Sequence, residues 1–141
     1  MKRIVVDASV AIKWLVPHKP EEADVGKALA LFEQIARQDR LMVQPPHFIA
    51  EVIAVIARVV PDYADRLFIA VSDLEMTIEN NANIYRTAIR LSIELNHHLF
   101  DTLYHAVALH TPGATLITAD EAYYRKAQGM GQLVRLQDYA G

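Results

Sequence analysis

The sequence predicts an α/β domain built on a mainly parallel sheet. Short apolar, β-prone runs alternate along it with longer segments of helical periodicity. The first run, Ile4-Val5-Val6, ends on Asp7 and passes straight into a helical segment. The same order of apolar run, acid and helix recurs at Leu116-Ile117-Thr118-Ala119-Asp120. In an open parallel sheet, ligands bind outside the carboxyl ends of the strands, and both acids would stand at that edge. Asp is also a favoured helix cap, which is the simpler reading of either acid alone. Two strand-end acids in one small sheet suggest a shared purpose.

The chain has 141 residues, 52% hydrophobic and 22% charged, as expected of one ordinary domain spanning residues 1–141. At this length a chain buries roughly 68–70% of its unfolded surface, so a single core suffices. With no cysteine there is neither a disulfide framework nor a thiolate metal site. Asp7 and Lys13 interrupt the first apolar run, unlike a signal peptide. No apolar stretch approaches the roughly 20 residues of a membrane span, so a cytoplasmic protein is expected, with no membrane partner. The net charge of −3 weighs weakly against a nucleic-acid binder. Several acids converging on one divalent ion would leave the remaining surface nearer neutral or basic.

In chain order, Ala8 to Leu15 reads as a short helix stopping before Pro17. Lys19-Pro20-Glu21-Glu22 opens a second, with Pro near its start and acids in its first turn. It runs to about Gln38, with Ala28, Leu31, Phe32 and Ile35 at helical spacing. Leu41-Met42-Val43 is the second strand, ended by Pro45-Pro46. His47 to about Val60 is a helix apolar almost all round, expected to be buried on more than one side. Glu51 in its middle would be costly to bury without a partner; a snorkelling Glu is the alternative. Pro61 to about Leu74 is a fourth helix, apolar at Leu67, Ile69, Ala70 and Val71. Met76-Thr77-Ile78 is the third strand. Ala82 to Leu95 is a helix with Ile84, Ala88, Leu91 and Leu95 inward. Asn96-His97-His98 breaks it, and Leu99 to His110 is the next, stopped by Pro112-Gly113. Leu116 to Thr118, a helix from Asp120 to about Gln128, and a short strand Leu133-Val134-Arg135 complete the chain.

Four acids stand out: Asp7, Glu51, Asp101 and Asp120. Together they would form an oxygen-only pocket suited to a hard cation such as Mg²⁺, which wants octahedral oxygen at about 2.0–2.1 Å. Carboxylates from separate elements around a bound water are what metal-assisted phosphodiester hydrolysis requires.

These residues carry a resemblance to a known family. The runs from Val5 to Leu15, Pro45 to Val52, Phe100 to Ala108 and Leu116 to Asp120 resemble, in order and spacing, the PIN domain, and more closely the VapC-like toxins of toxin–antitoxin pairs. The resemblance implies a three-layer α/β/α fold with a five-stranded sheet of order 3-2-1-4-5. It also implies a Mg²⁺- or Mn²⁺-dependent endoribonuclease acting on RNA. Asp7, Glu51, Asp101 and Asp120 correspond to the family's catalytic acids, with Asp7, Asp101 and Asp120 holding the metal and Ser9 supporting them. His18 departs from the pattern, standing where an acid often follows. His97, His98 and His105 read as surface or loop residues rather than ligands, and Asp101 and His105 as an i, i+4 pair sharing a hydrogen bond. Glu121 reads as a first-turn helix acid. Lys13, Arg125 and Lys126 are candidate phosphate contacts, although a solvated helix face explains them equally well.

The third and fourth helices are expected to form a groove for an antitoxin, and a homodimer is expected on some of the same surface or on the carboxyl-terminal part. The competing readings are a haloacid-dehalogenase-like phosphatase, a phospho-receiver domain, and an inactive PIN-fold interaction domain. The phosphatase needs a second Asp two residues after the first, where this chain has Ser9. A receiver wants a further acid pair and a strand-end Lys.

Overall fold

The computed structural model describes residues 2–16 and 24–140. Five parallel strands form one sheet: β1 (Lys2–Val6), β2 (Arg40–Gln44), β3 (Met76–Ile78), β4 (Thr115–Thr118) and β5 (Leu133–Arg135), in the order β3-β2-β1-β4-β5. The expected architecture and strand order are therefore those of the molecule. Ile4, Val5 and Val6 are fully buried, as a central parallel strand covered on both faces must be. The chain runs outward from β1 through β2 to β3, returns past β1 to β4, and continues to β5. With right-handed crossovers, this path puts α1 (Ala8–Leu15), α2 (Val25–Ala36), α3 (Phe48–Val59) and α4 (Ala64–Ser72) on one face. The other face carries α5 (Ala82–Leu95), α6 (Leu99–Leu109) and α7 (Glu121–Ala127). The expected opening of α2 at Lys19-Pro20-Glu21-Glu22, like His18, lies outside the described residues.

The winding direction reverses at β1, so the crevice of an open α/β sheet lies at its carboxyl end. The pairing prepares that crevice. β1 pairs with β2 from Lys2↔Arg40 to Ile4↔Met42, and with β4 from Ile4↔Thr115 to Val6↔Ile117. Beyond Met42, the Gln44 side chain takes the place of a backbone partner. The Val6 N–H donates to its Oε1 at 2.7 Å, and its Nε2 donates to the Val6 carbonyl at 2.8 Å. A side chain spans the gap, so the two strand ends have parted just before Asp7.

Two helices differ from expectation. α3 buries a single stripe, Phe48, Val52 and Ile56, while Val59 is exposed. It is thus buried on one side with half-buried flanks; among the described residues, α1 and α4 are its main helical neighbours. α4 begins at Ala64, since residues 61–63 form a turn with the Tyr63 N–H on the Val60 carbonyl. Of its expected apolar face, Val71 is buried and Leu67 half-buried, but Ile69 and Ala70 are exposed. α6 is the most enclosed helix, with every residue from Thr102 to Ala108 buried. Among the described residues no helix is long and apolar enough to cross a membrane.

Replacing Gln44 with Leu strands two buried backbone groups of Val6. At about 1–3 kcal/mol for each unsatisfied group, the expected cost is about 2–6 kcal/mol. Urea denaturation should show a lower midpoint at unchanged slope.

Candidate active site

Asp7 is both the helix cap and the centre of the site. Its Oδ2 accepts from the Ser9 N–H at 3.2 Å, which caps α1, and from the Ser9 hydroxyl. The Thr118 hydroxyl donates to the same oxygen at 3.4 Å. Ser9 Oγ in turn accepts from the Ala119 N–H at 3.0 Å, and Thr118 Oγ1 accepts from the Asp120 N–H at 3.0 Å. Two short bridges thus stitch the ends of β1 and β4 together. Asp120 also combines two roles, its Oδ1 capping α7 through the Tyr123 N–H at 3.0 Å.

Glu51 and Asp101 approach from opposite layers. Glu51, on α3, accepts from the buried Tyr104 hydroxyl at 2.6 Å and lies 3.4 Å from His47 Nε2. It has the partner that its position demands, and does not snorkel. Asp101, in the first turn of α6, lies with its Oδ2 2.8 Å from His97 Nε2. Ligand-capable atoms of His97, Asp101 and Asp120 all fall within 4.8 Å of one another.

The four acids share one electrostatic field. Asp7 is only 8% exposed. Burial pushes its carboxyl up to about 7, the Ser9 bonds pull it back in part, and the charges of Asp101 and Glu51 raise it further. Asp101 is also raised, first by burial and then by Asp120 and Glu51, against the His97 bond that lowers it. At Glu51 burial acts upward too, but the bonds from His47 and Tyr104 outweigh it and hold the carboxyl low. The Tyr104 phenol is pushed far up by burial and by Glu51, so it remains a donor. A half-enclosed group of carboxylates that raise one another's proton affinity is a donor set that fits a divalent cation.

The other expected positions separate from these. Lys13 pairs with Asp24 at 3.5 Å. Arg125 is exposed on α7, whereas the Lys126 ammonium reaches the Asn96 carbonyl at 2.8 Å and His97 Nδ1 at 3.3 Å. Glu121 pairs with Arg135 at 3.5 Å, as a first-turn acid outside the cluster. His98 is exposed in the loop before α6, as expected.

Two histidine expectations are corrected. His105 is fully buried, with Nδ1 2.8 Å from the Tyr123 hydroxyl and Nε2 2.8 Å from the Gly131 carbonyl. Both ring nitrogens are occupied on the α7 side, so it shares no bond with Asp101, and burial lowers its proton affinity. His97, whose side chain is only 10% exposed, is the residue that bonds Asp101. Its i, i+4 spacing to Asp101 is a signal present in the sequence. Gln44, Tyr104 and Thr118 also serve the site, and no local sequence signal marks them.

The PIN domain family matches residues 4–129 of the chain. The protein belongs to the PIN domain family. Ser9, where the dehalogenase-like phosphatases need an acid, instead serves Asp7. No curated protein matches the sequence. Among solved structures, the chain is similar to one titled "Toxin-antitoxin complex from Klebsiella pneumoniae", at 18% identity and a TM-score of 0.66. That match covers 94% of this chain and 97% of the other. At this identity the likeness is one of fold.

Because the folded Asp7 carboxyl lies near 7 against an ordinary 3.8, the folded state binds the extra proton between those values. Stability of the metal-free protein therefore falls as pH rises from about 4 to about 7. At about 1.4 kcal/mol per pH unit the full effect is about 4 kcal/mol. Asp7→Asn should accordingly melt higher than wild type at pH 8 in EDTA, by an equivalent of about 2–4 kcal/mol, and nearly equal to it below pH 4. A pure capping role predicts no difference at either pH, since Asn caps about as well as Asp.

Proposed function

We propose that this chain is a divalent-metal-dependent endoribonuclease that hydrolyses RNA phosphodiester bonds, and that it is the toxin of a cytoplasmic toxin–antitoxin pair. The reading is supported by the mutual electrostatic influence of Asp7, Glu51 and Asp101 and by the closeness of Asp101 to Asp120. Asp7, Asp101 and Asp120 would hold Mg²⁺ or Mn²⁺. When bound, such an ion supplies charge for a phosphoryl oxygen and a water of lowered pKa.

The chain's own groups have separable tasks. Ser9 and Thr118 fix Asp7 from below. Glu51, kept ionised by Tyr104 and His47, orients the attacking water. Arg125, exposed on α7 just beyond Asp120, contacts the RNA phosphates; Lys126 has a weaker claim to that role because Asn96 and His97 engage it. The claim of Lys13 is weaker too, because Asp24 engages it.

Two surfaces support the partner assignments. Val59, Tyr63, Phe68 and Ile69 leave apolar surface exposed on and between α3 and α4. It suits an apolar antitoxin helix with a basic residue reaching the acids, and the similar solved structure is itself titled a toxin–antitoxin complex. The exposed stripe Tyr85, Ile89 and Ile93 on α5 suits a second copy in a homodimer. An inactive interaction domain would have no reason to keep four acids at such cost.

Purified protein should cleave single-stranded RNA with Mg²⁺ or Mn²⁺, leaving 5′-phosphate and 3′-hydroxyl ends. Asp101→Asn should reduce the rate by about 10²–10³ while leaving the circular dichroism spectrum intact. Full activity in excess EDTA, or an unaffected Asp101→Asn, would overturn the proposal.

A further inference from the structure

We infer that His97 is a positioning residue for Asp101, held by Lys126 in the tautomer that donates to the carboxylate, and is not itself a ligand of the cation. The inference rests on the metal-centre reading above. An ammonium has donors only. Lys126 Nζ, anchored 2.8 Å from the Asn96 carbonyl, lies 3.3 Å from His97 Nδ1, so that nitrogen must present its lone pair. The neutral ring then carries its proton on Nε2, which donates to Asp101 Oδ2 at 2.8 Å. Neither nitrogen is left with a lone pair for a metal. The ring is also wedged in place by Tyr123, edge-on with centroids 4.9 Å apart. Tyr123 is itself anchored, its hydroxyl bonded to His105 at 2.8 Å.

The consequence for the site is orientation. Asp101 stands in the first turn of α6, where its carboxylate would otherwise rotate about the last side-chain bond. With Oδ2 held by His97, the other oxygen is the one left for the crevice. The histidine thus acts as the hydrogen-bonded support of a ligand, a type of contact whose loss typically weakens metal binding 10–100-fold.

Lys126 gives the inference an unusual sign. A positive side chain near a cation site opposes binding by Coulomb's law, so deleting its charge should tighten the site. If its main effect is to fix the His97 tautomer, deletion should loosen the site instead.

The test is a titration of full-length protein with Mn²⁺, following the free ion by electron paramagnetic resonance. His97→Ala should weaken affinity about tenfold. His97→Gln, whose amide nitrogen can replace Nε2 as a donor, should recover most of that loss. Lys126→Met should weaken binding several-fold. Equal losses in His97→Ala and His97→Gln, as deep as that of Asp101→Asn, would make His97 a ligand and overturn the inference. Tighter binding in Lys126→Met would overturn the part given to Lys126. Long-range ¹H–¹⁵N spectra should show the His97 proton on Nε2 with and without Mg²⁺; its loss on adding Mg²⁺ would contradict the assignment. Wild type that binds no Mn²⁺ would instead bring down the metal-centre reading itself.

Discussion

The buried carboxylate of Asp7 is the constraint around which the rest of this protein is arranged. A charged group at 8% exposure is expensive, and everything near it addresses that cost. The Ser9 hydroxyl and N–H bond it, Thr118 reaches it from the neighbouring strand, and Gln44 holds the β1 end in place by pairing both backbone groups of Val6. These contacts do not complete the compensation. The carboxyl remains raised to about 7, and three other acids lie in the same field. A divalent cation held as proposed above would offset the repulsion through its affinity for the folded state.

The same economy of groups recurs at each acid. Asp7 and Asp120 cap helices with one oxygen and stand at the crevice with the carboxylate as a whole. Glu51 depends on Tyr104 and Asp101 on His97, so the two acids brought by helices are oriented by residues of, or next to, α6. That helix is the most enclosed among the described residues, and a rigid element is where precise side-chain placement is cheapest. The apparent conflict between cap and functional residue that the sequence presents at Asp7 is therefore no conflict.

Much of this was legible in the chain because the determinants are local. A central parallel strand reads as an unbroken apolar run, and its terminal acid reads directly as a crevice residue. The four candidate acids are legible from such local signals, whereas the strand order follows from the family resemblance. What escaped has long-range causes. Gln44 acts on Val6 across 38 residues, Tyr104 on Glu51 across 53 and Thr118 on Asp7 across 111, and no periodicity announces such pairs. The start of α4 differs from expectation because Pro61 serves equally well in a turn or a first helical turn. The histidines were misjudged for a related reason. His97 and His105 both lie four residues from Asp101, and only the packing of α7 determines that His97 turns toward it and His105 away.

Calorimetry of Mn²⁺ binding at pH 6 tests whether the raised, buried carboxyl of Asp7 takes part in holding a divalent ion. At that pH a carboxyl near 7 is mostly protonated, so binding must expel the proton. Titrations in two buffers of different ionisation enthalpy should report close to one proton released per ion in wild type, and much weaker binding in Asp7→Asn. Binding without proton release, or with equal affinity in Asp7→Asn, would contradict the account.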